Sequence, residues 1–314
     1  MRTPAAALSA LSAVSLFALA ACGPSAAQGS SGSGDSDPDT LVFTAIPSEE
    51  SQSLSQQFKI VISEIEKATG KKVQVQSATD YAGVIEAQRA GKVQLANYGP
   101  LSYVAAHDSG VGLDILGGQI TEKDGKPGYN SFGVVPADSP IKSLDDLKGK
   151  KVCFVDPTST SGYLYPSAAL QKAGIDPKKD VSPIMAGGHD SSALSVAKGS
   201  CDAGFAEDAV VNGSLIKSGQ LKKGQLREIW KSELIPATPV AASDSLSQDL
   251  RDKLKQVFTQ TLNKDALVKA GTCTSAKDCE LPEDSWGYVP LEDSAYDSVR
   301  KVCEATKADS CVKG

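Results

Sequence analysis

Short β-branched runs alternate with stretches of helical periodicity from residue 41 to about residue 262, and nothing else in the chain constrains its fold as tightly. Leu41-Val42-Phe43-Thr44-Ala45-Ile46 predicts a strand, and Pro47-Ser48-Glu49-Glu50 predicts a helix start with acids in its first turn. Leu54, Phe58, Val61, Ile62 and Ile65 give that helix one apolar stripe, and Gly70 ends it. Strands are expected at 72–76, 93–96, 113–116 and 131–135, with helices at 81–90 and 101–107 between them. The second half repeats the pattern. Strands are expected at 150–155, 181–185 and 202–206, one helix opens at His189-Asp190-Ser191-Ser192, and another starts near Asp208. A last amphipathic helix, with Leu250, Leu254, Val257, Phe258 and Leu262 on one face, leads into a cysteine-rich tail. Strands joined by crossover helices imply mostly parallel sheets covered on both faces, with ligands at the carboxyl ends of the strands. The expected layout is α/β with two lobes, residues 41–132 plus 240–314 in one and 137–235 in the other. The extended, proline-bearing segments Ser131–Pro136 and 236–242 are the expected crossings.

One turn in this alternation carries chemistry. After the strand at 150–155 comes Asp156-Pro157-Thr158-Ser159-Thr160-Ser161-Gly162-Tyr163, and Leu164, Ala168, Ala169 and Ala173 then recur at helical spacing. A strand, a hydroxyl-rich turn and a helix present free amides and the positive end of a helix dipole to an anion. Pro166 places the cap near Gly162 or Tyr163, because proline is easiest in a helix's first turn. Ser159, Thr160 and Ser161 are then three hydroxyl donors in the loop. The loop contains no Lys or Arg, so it suits a small oxyanion held by neutral donors better than a nucleotide. An ordinary Ser/Thr cap accounts for the same residues without any ligand.

The N-terminus points to a compartment. Arg2 precedes an apolar, alanine-rich run to residue 21, too short for a good membrane span and fitting a secretory signal over residues 1–21. Leu19-Ala20-Ala21-Cys22 resembles a bacterial lipobox, whose cysteine is acylated and becomes the new N-terminus. Residues 22–40 are then a flexible tether, rich in Gly, Ser, Ala, Pro and Asp. The prediction is a folded domain held outside a membrane by lipid on Cys22. Of seven cysteines, the six that remain are an even number in an oxidising compartment. Cys273 with Cys279 and Cys303 with Cys311 flank short loops, which leaves Cys153 with Cys201. Zinc ligation is disfavoured, because the chain has no Cys-x-x-Cys pair and two histidines. The 32 basic and 38 acidic residues give a net charge of −6, which argues against nucleic acid but not against a small anion governed by local dipoles.

Six segments carry a family resemblance in order along the chain: Asp80-Tyr81-Ala82-Gly83-Val84-Ile85, Tyr98-Gly99-Pro100-Leu101-Ser102, Pro127-Gly128-Tyr129, the 156–163 loop, Ala186-Gly187-Gly188-His189 and Ile229-Trp230-Lys231-Ser232. Together they resemble the phosphate/phosphite/phosphonate-binding proteins of ABC importers, from about residue 41 to residue 243. The tail after about residue 265 lies outside the close resemblance. The resemblance implies a two-lobed type II periplasmic-binding-protein fold that closes on a small phosphorus oxyanion and delivers it to a permease and ATPase. It implies a monomer without cofactor or metal. Carried over position by position, it implies that Ser159, Thr160 and Ser161 hold the oxygens, Tyr81 and Tyr129 donate from the facing lobe, and His189 supplies another donor. Protonation of His189 would add a charged donor, which predicts a change in affinity at about pH 6–7.

One departure bears on the ligand. Family members that bind an aminoalkyl phosphonate carry a carboxylate in the segment matching Ile235-Pro236-Ala237-Thr238-Pro239, where this chain has Thr238. A second acidic position maps to either Glu207 or Asp208. An ammonium buried without carboxylates is costly to desolvate, so the expected ligand lacks an amine: phosphite, methylphosphonate or a similar oxyanion, with phosphate and 2-aminoethylphosphonate as alternatives. Glu207 or Asp208 would then accept from a P–OH. A hydrolase is disfavoured, because Ser161-Gly162 lacks the Gly-x-Ser-x-Gly frame and neither histidine has a triad context. A sensing lipoprotein with the same pocket is compatible with the sequence.

Overall fold

The computed structural model describes residues 37–49 and 53–311, so Cys22 and most of the expected tether lie outside the described residues. Six strands form the first sheet, in the spatial order Gly287–Val289, Leu113–Ile120, Pro239–Ser243, Leu95–Asn97, Thr40–Ala45 and Lys72–Val75. Five form the second, in the order Leu226–Lys231, Ser131–Pro136, Ala203–Glu207, Lys151–Phe154 and Ser182–Met185. Each sheet anchors one lobe.

The sheets are mixed rather than mostly parallel. Thr40–Ala45 pairs in parallel with both Lys72–Val75 and Leu95–Asn97, as crossover helices require. Pro239–Ser243 returns from the other lobe and inserts antiparallel between Leu95–Asn97 and Leu113–Ile120. In the second sheet Ser131–Pro136 likewise runs antiparallel to both its neighbours. Two of the strands that break the parallel pattern, Ser131–Pro136 and Pro239–Ser243, follow a passage between lobes, and a third, Gly287–Val289, comes from the tail. Ser131–Pro136 lies wholly within the second sheet, so the passages sit further out than the sequence indicated, between Ile120 and Ser131 and between Lys231 and Pro239. They run side by side as a ribbon of Gly128–Tyr129 with Ile235–Pro236. Gly128 is needed there: its φ is 159°, and a Cβ would lie 2.4 Å from the Ile235 carbonyl oxygen.

Packing follows the periodicity. Helices Lys59–Thr69 and Gln248–Gln256 bury Val61, Ile65 and Leu254 against Leu41, Phe43 and Leu95 of the first sheet. Phe154 and Phe205 of the second sheet stack at 5.4 Å, and Trp230 meets Phe205 edge-on at 5.8 Å. A third cluster, with Tyr81, Leu101, Val155, Leu164, Tyr165 and Tyr296, draws side chains from both lobes. No helix among the described residues is long and apolar enough to cross a membrane.

Disulfides join Cys153 to Cys201, Cys273 to Cys279 and Cys303 to Cys311. The first closes a loop with a sequence separation of 48 between a central strand and the turn after helix His189–Ala197. Loop-closure entropy for that span predicts a stabilisation of about 4 kcal/mol. Cys153→Ala with Cys201→Ala should lower the stability by about that amount in urea titrations, with a steeper slope because the unfolded chain becomes less compact. An unchanged midpoint would mean that the bridge contributes nothing to the folded state.

Candidate functional site

The 156–163 turn faces the first lobe at the ends of strands. Ser159 is the N-cap, and its hydroxyl accepts from the Gly162 amide at 3.0 Å. Thr160 to Leu164 form a π-turn, and the α-helix Tyr165–Lys172 continues from it. The cap therefore lies three residues or more before the position that Pro166 indicated. Proline sits beyond the first turn because the carbonyls it would leave bare are occupied. Gly162 O accepts from Val155 N at 3.2 Å, and Ser161 O from the Ser131 hydroxyl at 2.5 Å. Gly162 presses so closely on Val155 that an added Cβ would lie 2.3 Å from a valine methyl. The first amides of the helix have no intrahelical partner, which leaves Thr160 and Ser161 as backbone donors beside three buried hydroxyls.

The facing lobe supplies the complementary side. Asp80 caps helix Tyr81–Arg89 by accepting from Gly83 N at 2.7 Å, which sets Tyr81 in the first turn. The Tyr81 side chain is 1 % exposed, its hydroxyl lies beside Ser159 without completing an aligned hydrogen bond, and it has no other partner among the described residues. Tyr129, on the interlobe ribbon, lies against Ser161 and is also buried. Asp156 reaches from the second lobe to the Tyr81 amide. The Thr160 hydroxyl accepts from Leu101 N at 2.8 Å, capping the Tyr98-Gly99-Pro100-Leu101 helix start while its own O–H stays available to donate. Other bonds also span the cleft: His189 N to Ser48 O at 2.8 Å and the Ser214 hydroxyl to Glu49 Oε1 at 3.1 Å. The lobes are closed on one another.

His189 opens helix His189–Ala197 and is 3 % exposed. Its Nδ1 accepts from the Glu207 amide at 3.1 Å, which assigns the proton to Nε2. Burial pushes its pKa down to about 3, so the ring is a neutral donor. The affinity change expected near pH 6–7 therefore has no source in this imidazole.

Of the two acidic candidates, Glu207 faces the cluster. It is buried at the end of Ala203–Glu207, and burial first, then Glu283, Asp208 and Glu49, raise its pKa well above the usual carboxylate range. Asp208 is turned to backbone amides, accepting from Asn130 N at 3.2 Å and from Ala209 N at 3.1 Å. Thr238 is buried, and its carbonyl accepts from Gln119 N at 2.9 Å.

Two carboxyl groups at the site escaped the sequence reading. Glu49 was expected in a helix's first turn, but the helix begins at Leu54 behind an Ser53 cap, and Glu49 instead bonds Ser214. Glu283 lies in the cysteine-rich tail, beyond the resemblance, and accepts from the Ser48 hydroxyl at 2.9 Å. The sequence does offer acidic residues at both places, but without a periodic or motif context. Their convergence comes from the pairing of Gly287–Val289 with Leu113–Ile120, which brings the tail alongside the first lobe.

Burial, with Glu283 nearby, pushes the Glu49 pKa up from 4.5 to about 7, partly offset by the Ser214 hydroxyl. A carboxyl whose pKa rises on folding is protonated more readily in the folded chain. Its contribution to stability is therefore greatest below its unfolded value and is lost as pH rises towards about 7. The stability of Glu49→Gln relative to the unsubstituted domain should rise between about pH 4.5 and pH 7. Thermal melts of the two proteins that stay parallel across that window would contradict the assignment.

The match with known proteins agrees with this geometry. Residues 43–277 fit the family model described as the periplasmic substrate-binding protein of phosphonate ABC transporters. The chain is 45% identical over 282 residues to the phosphate-import protein PhnD of Mycolicibacterium smegmatis, covering 87% of this chain and 88% of that one. It is 35% identical over 223 residues to the phosphonates-binding periplasmic protein of Escherichia coli, covering 69% and 65%. Among solved structures, it resembles the binding-protein component of an ABC phosphonate transporter from Pseudomonas aeruginosa, with a TM-score of 0.74 and 28% identity over 86% and 87% of the two chains. The two-lobed α/β architecture is that of the type II periplasmic binding proteins. The chain belongs to the family of periplasmic substrate-binding proteins of phosphonate ABC transporters.

Proposed function

We propose that the closed cleft captures a small tetrahedral phosphorus oxyanion for an ABC permease and ATPase, and that the domain acts from outside the cell membrane, tethered by lipid on Cys22. The observation that carries the ligand reading is the Tyr81 hydroxyl, buried and unpartnered, aimed from one lobe at the hydroxyl-rich helix start of the other. An isolated buried hydroxyl is costly, and an oxyanion oxygen between Tyr81 and Ser159 relieves that cost. Ser159, Thr160, Ser161, Tyr129 and the Nε2–H of His189 are the further donors, all neutral. Phosphite and methylphosphonate fit this set. Inorganic phosphate fits it too, and the name of the 45%-identical relative favours it. Binding without turnover is supported by His189, whose Nδ1 is committed to the Glu207 amide instead of a serine hydroxyl. We assign the lobes as 41–132 plus 240–314 and 137–235, refined at the ribbon so that Ser131–Pro136 joins the second lobe.

Hydrogen bonds to a charged group contribute about 1.5–3 kcal/mol each. Tyr81→Phe removes one donor and keeps the ring, so it should weaken binding by roughly one to two decades in calorimetric titration, with the melting temperature preserved. Thr160→Ala should cost about as much, and it also frees the Leu101 amide. Unchanged affinity in both variants, for every phosphorus oxyanion that binds, would overturn the site. The anchor is tested separately. Cys22→Ser should leave the protein unprocessed or released from membranes, and recovery of that variant acylated in the membrane fraction would refute the lipid assignment.

A further inference from the structure

The cysteine-rich tail brings Glu283 into the cleft by a route the family match does not cover, since the matched residues end at 277. Glu283 and Asp284 hold φ values of 55° and 56°, a left-handed backbone that is strained for residues with a side chain. The strain is held in place from several sides. Gln119 Nε2 donates to the Pro282 carbonyl at 2.7 Å, the Ser48 hydroxyl donates to Glu283 at 2.9 Å, and Lys217 of the other lobe reaches Asp284 at 3.3 Å. Hydrogen bonds link Glu283 to Glu207 of the second lobe: Ser48, which donates to Glu283, accepts through its carbonyl from His189 N at 2.8 Å, and His189 Nδ1 accepts from Glu207 N at 3.1 Å. Glu283 is close enough to raise the Glu207 pKa further. Both also act electrostatically on the unpartnered Tyr81 hydroxyl and on Tyr129. A buried Glu207 and a half-buried Glu283 therefore border a group of oxyanion donors, and no Lys or Arg contributes to their raised pKa values.

Carboxylates beside an anion are repulsive unless the anion offers them protons. Dihydrogen phosphate offers two P–O–H donors, methylphosphonate and phosphite one each as monoanions, and sulfate none. We propose that Glu283, delivered by the tail, pairs with Glu207 across the cleft as a two-carboxyl acceptor for P–O–H groups, and that this pair makes inorganic phosphate the preferred ligand. This rests on the reading that the cleft holds a phosphorus oxyanion. In this arrangement Glu283 determines specificity, since the anion's unprotonated oxygens are held by the donors already described.

The wild-type protein tests it with a series of isosteres titrated in mildly acidic buffer: phosphate, methylphosphonate and dimethylphosphinate, in which methyl groups successively replace hydroxyls. Affinity should fall roughly ten- to a hundredfold with each hydroxyl lost, and sulfate should bind no better than dimethylphosphinate. Glu283→Gln keeps the shape but replaces one of the two acceptor oxygens with an N–H donor, so the phosphate-to-methylphosphonate and phosphate-to-sulfate preferences should each narrow by about tenfold. Equal wild-type affinity along the series would overturn the proposal, as would a Glu283→Gln variant that weakens all ligands in parallel, the outcome of a merely structural role. Tight binding of 2-aminoethylphosphonate above phosphate would overturn it by assigning the carboxyl pair to an ammonium. Those outcomes leave the oxyanion cleft standing, whereas a wild-type protein that binds no phosphorus oxyanion would overturn both.

Discussion

The hydrogen bond from the Leu101 amide to the Thr160 hydroxyl joins the starts of two helices that belong to opposite sheets. Each start carries unpaired amides and the positive end of a dipole, so bringing them together unaided would set like partial charges face to face. One serves as a donor to the other's side chain, and the hydroxyls of Ser159, Thr160 and Ser161 line the space between. Such an arrangement is stable around negative charge. The remaining contacts across the cleft, His189 to Ser48 and Ser214 to Glu49, hold the lobes in the same register. The ribbon of Gly128–Tyr129 with Ile235–Pro236 lets them part without breaking either sheet.

Within this frame, the charges in the cleft are unexpected. Its inner donors are neutral, whereas Glu49, Glu207 and Glu283 border it as buried or half-buried acids whose pKa values are all raised. Raised carboxyl pKa values are destabilising at neutral pH and persist where a ligand or a function depends on them. The strained backbone at Glu283 and Asp284 points the same way, since several separate bonds are needed to keep it. In the proposed reading, anion binding relies on dipoles and hydroxyls, and the neighbouring acids set which anions are tolerated.

The strands and helices were legible because their periodicities differ, and Leu41–Ile46 and the Leu250–Leu262 stripe read correctly from spacing alone. The loop at 156–163 stood out as a hydroxyl run between a strand and a helix, which an ordinary cap also explains, and Ser159 does cap the helix. The exact cap was not legible, because Pro166 marks a first turn only when the preceding carbonyls lack other partners, and here Val155 and Ser131 supply them. Glu49 was misplaced because a proline, a serine and two acids are an ordinary helix start, and Ser53 provided the real one. Glu283 carried no local signal at all. Its position depends on a three-residue strand pairing across 167 residues of separation, Gly287 with Ile120, which no periodicity encodes. His189 shows the converse case, a residue found by resemblance whose protonation was set by burial that the sequence does not express.

The most direct measurement is a crystal structure of the domain grown with phosphate. The account predicts the phosphorus centred at the Thr160–Leu164 helix start, with oxygens within hydrogen-bond distance of the Tyr81 and Tyr129 hydroxyls and of the Ser161 amide. Phosphate bound elsewhere, with the Tyr81 hydroxyl still lacking a partner in a closed cleft, would contradict it.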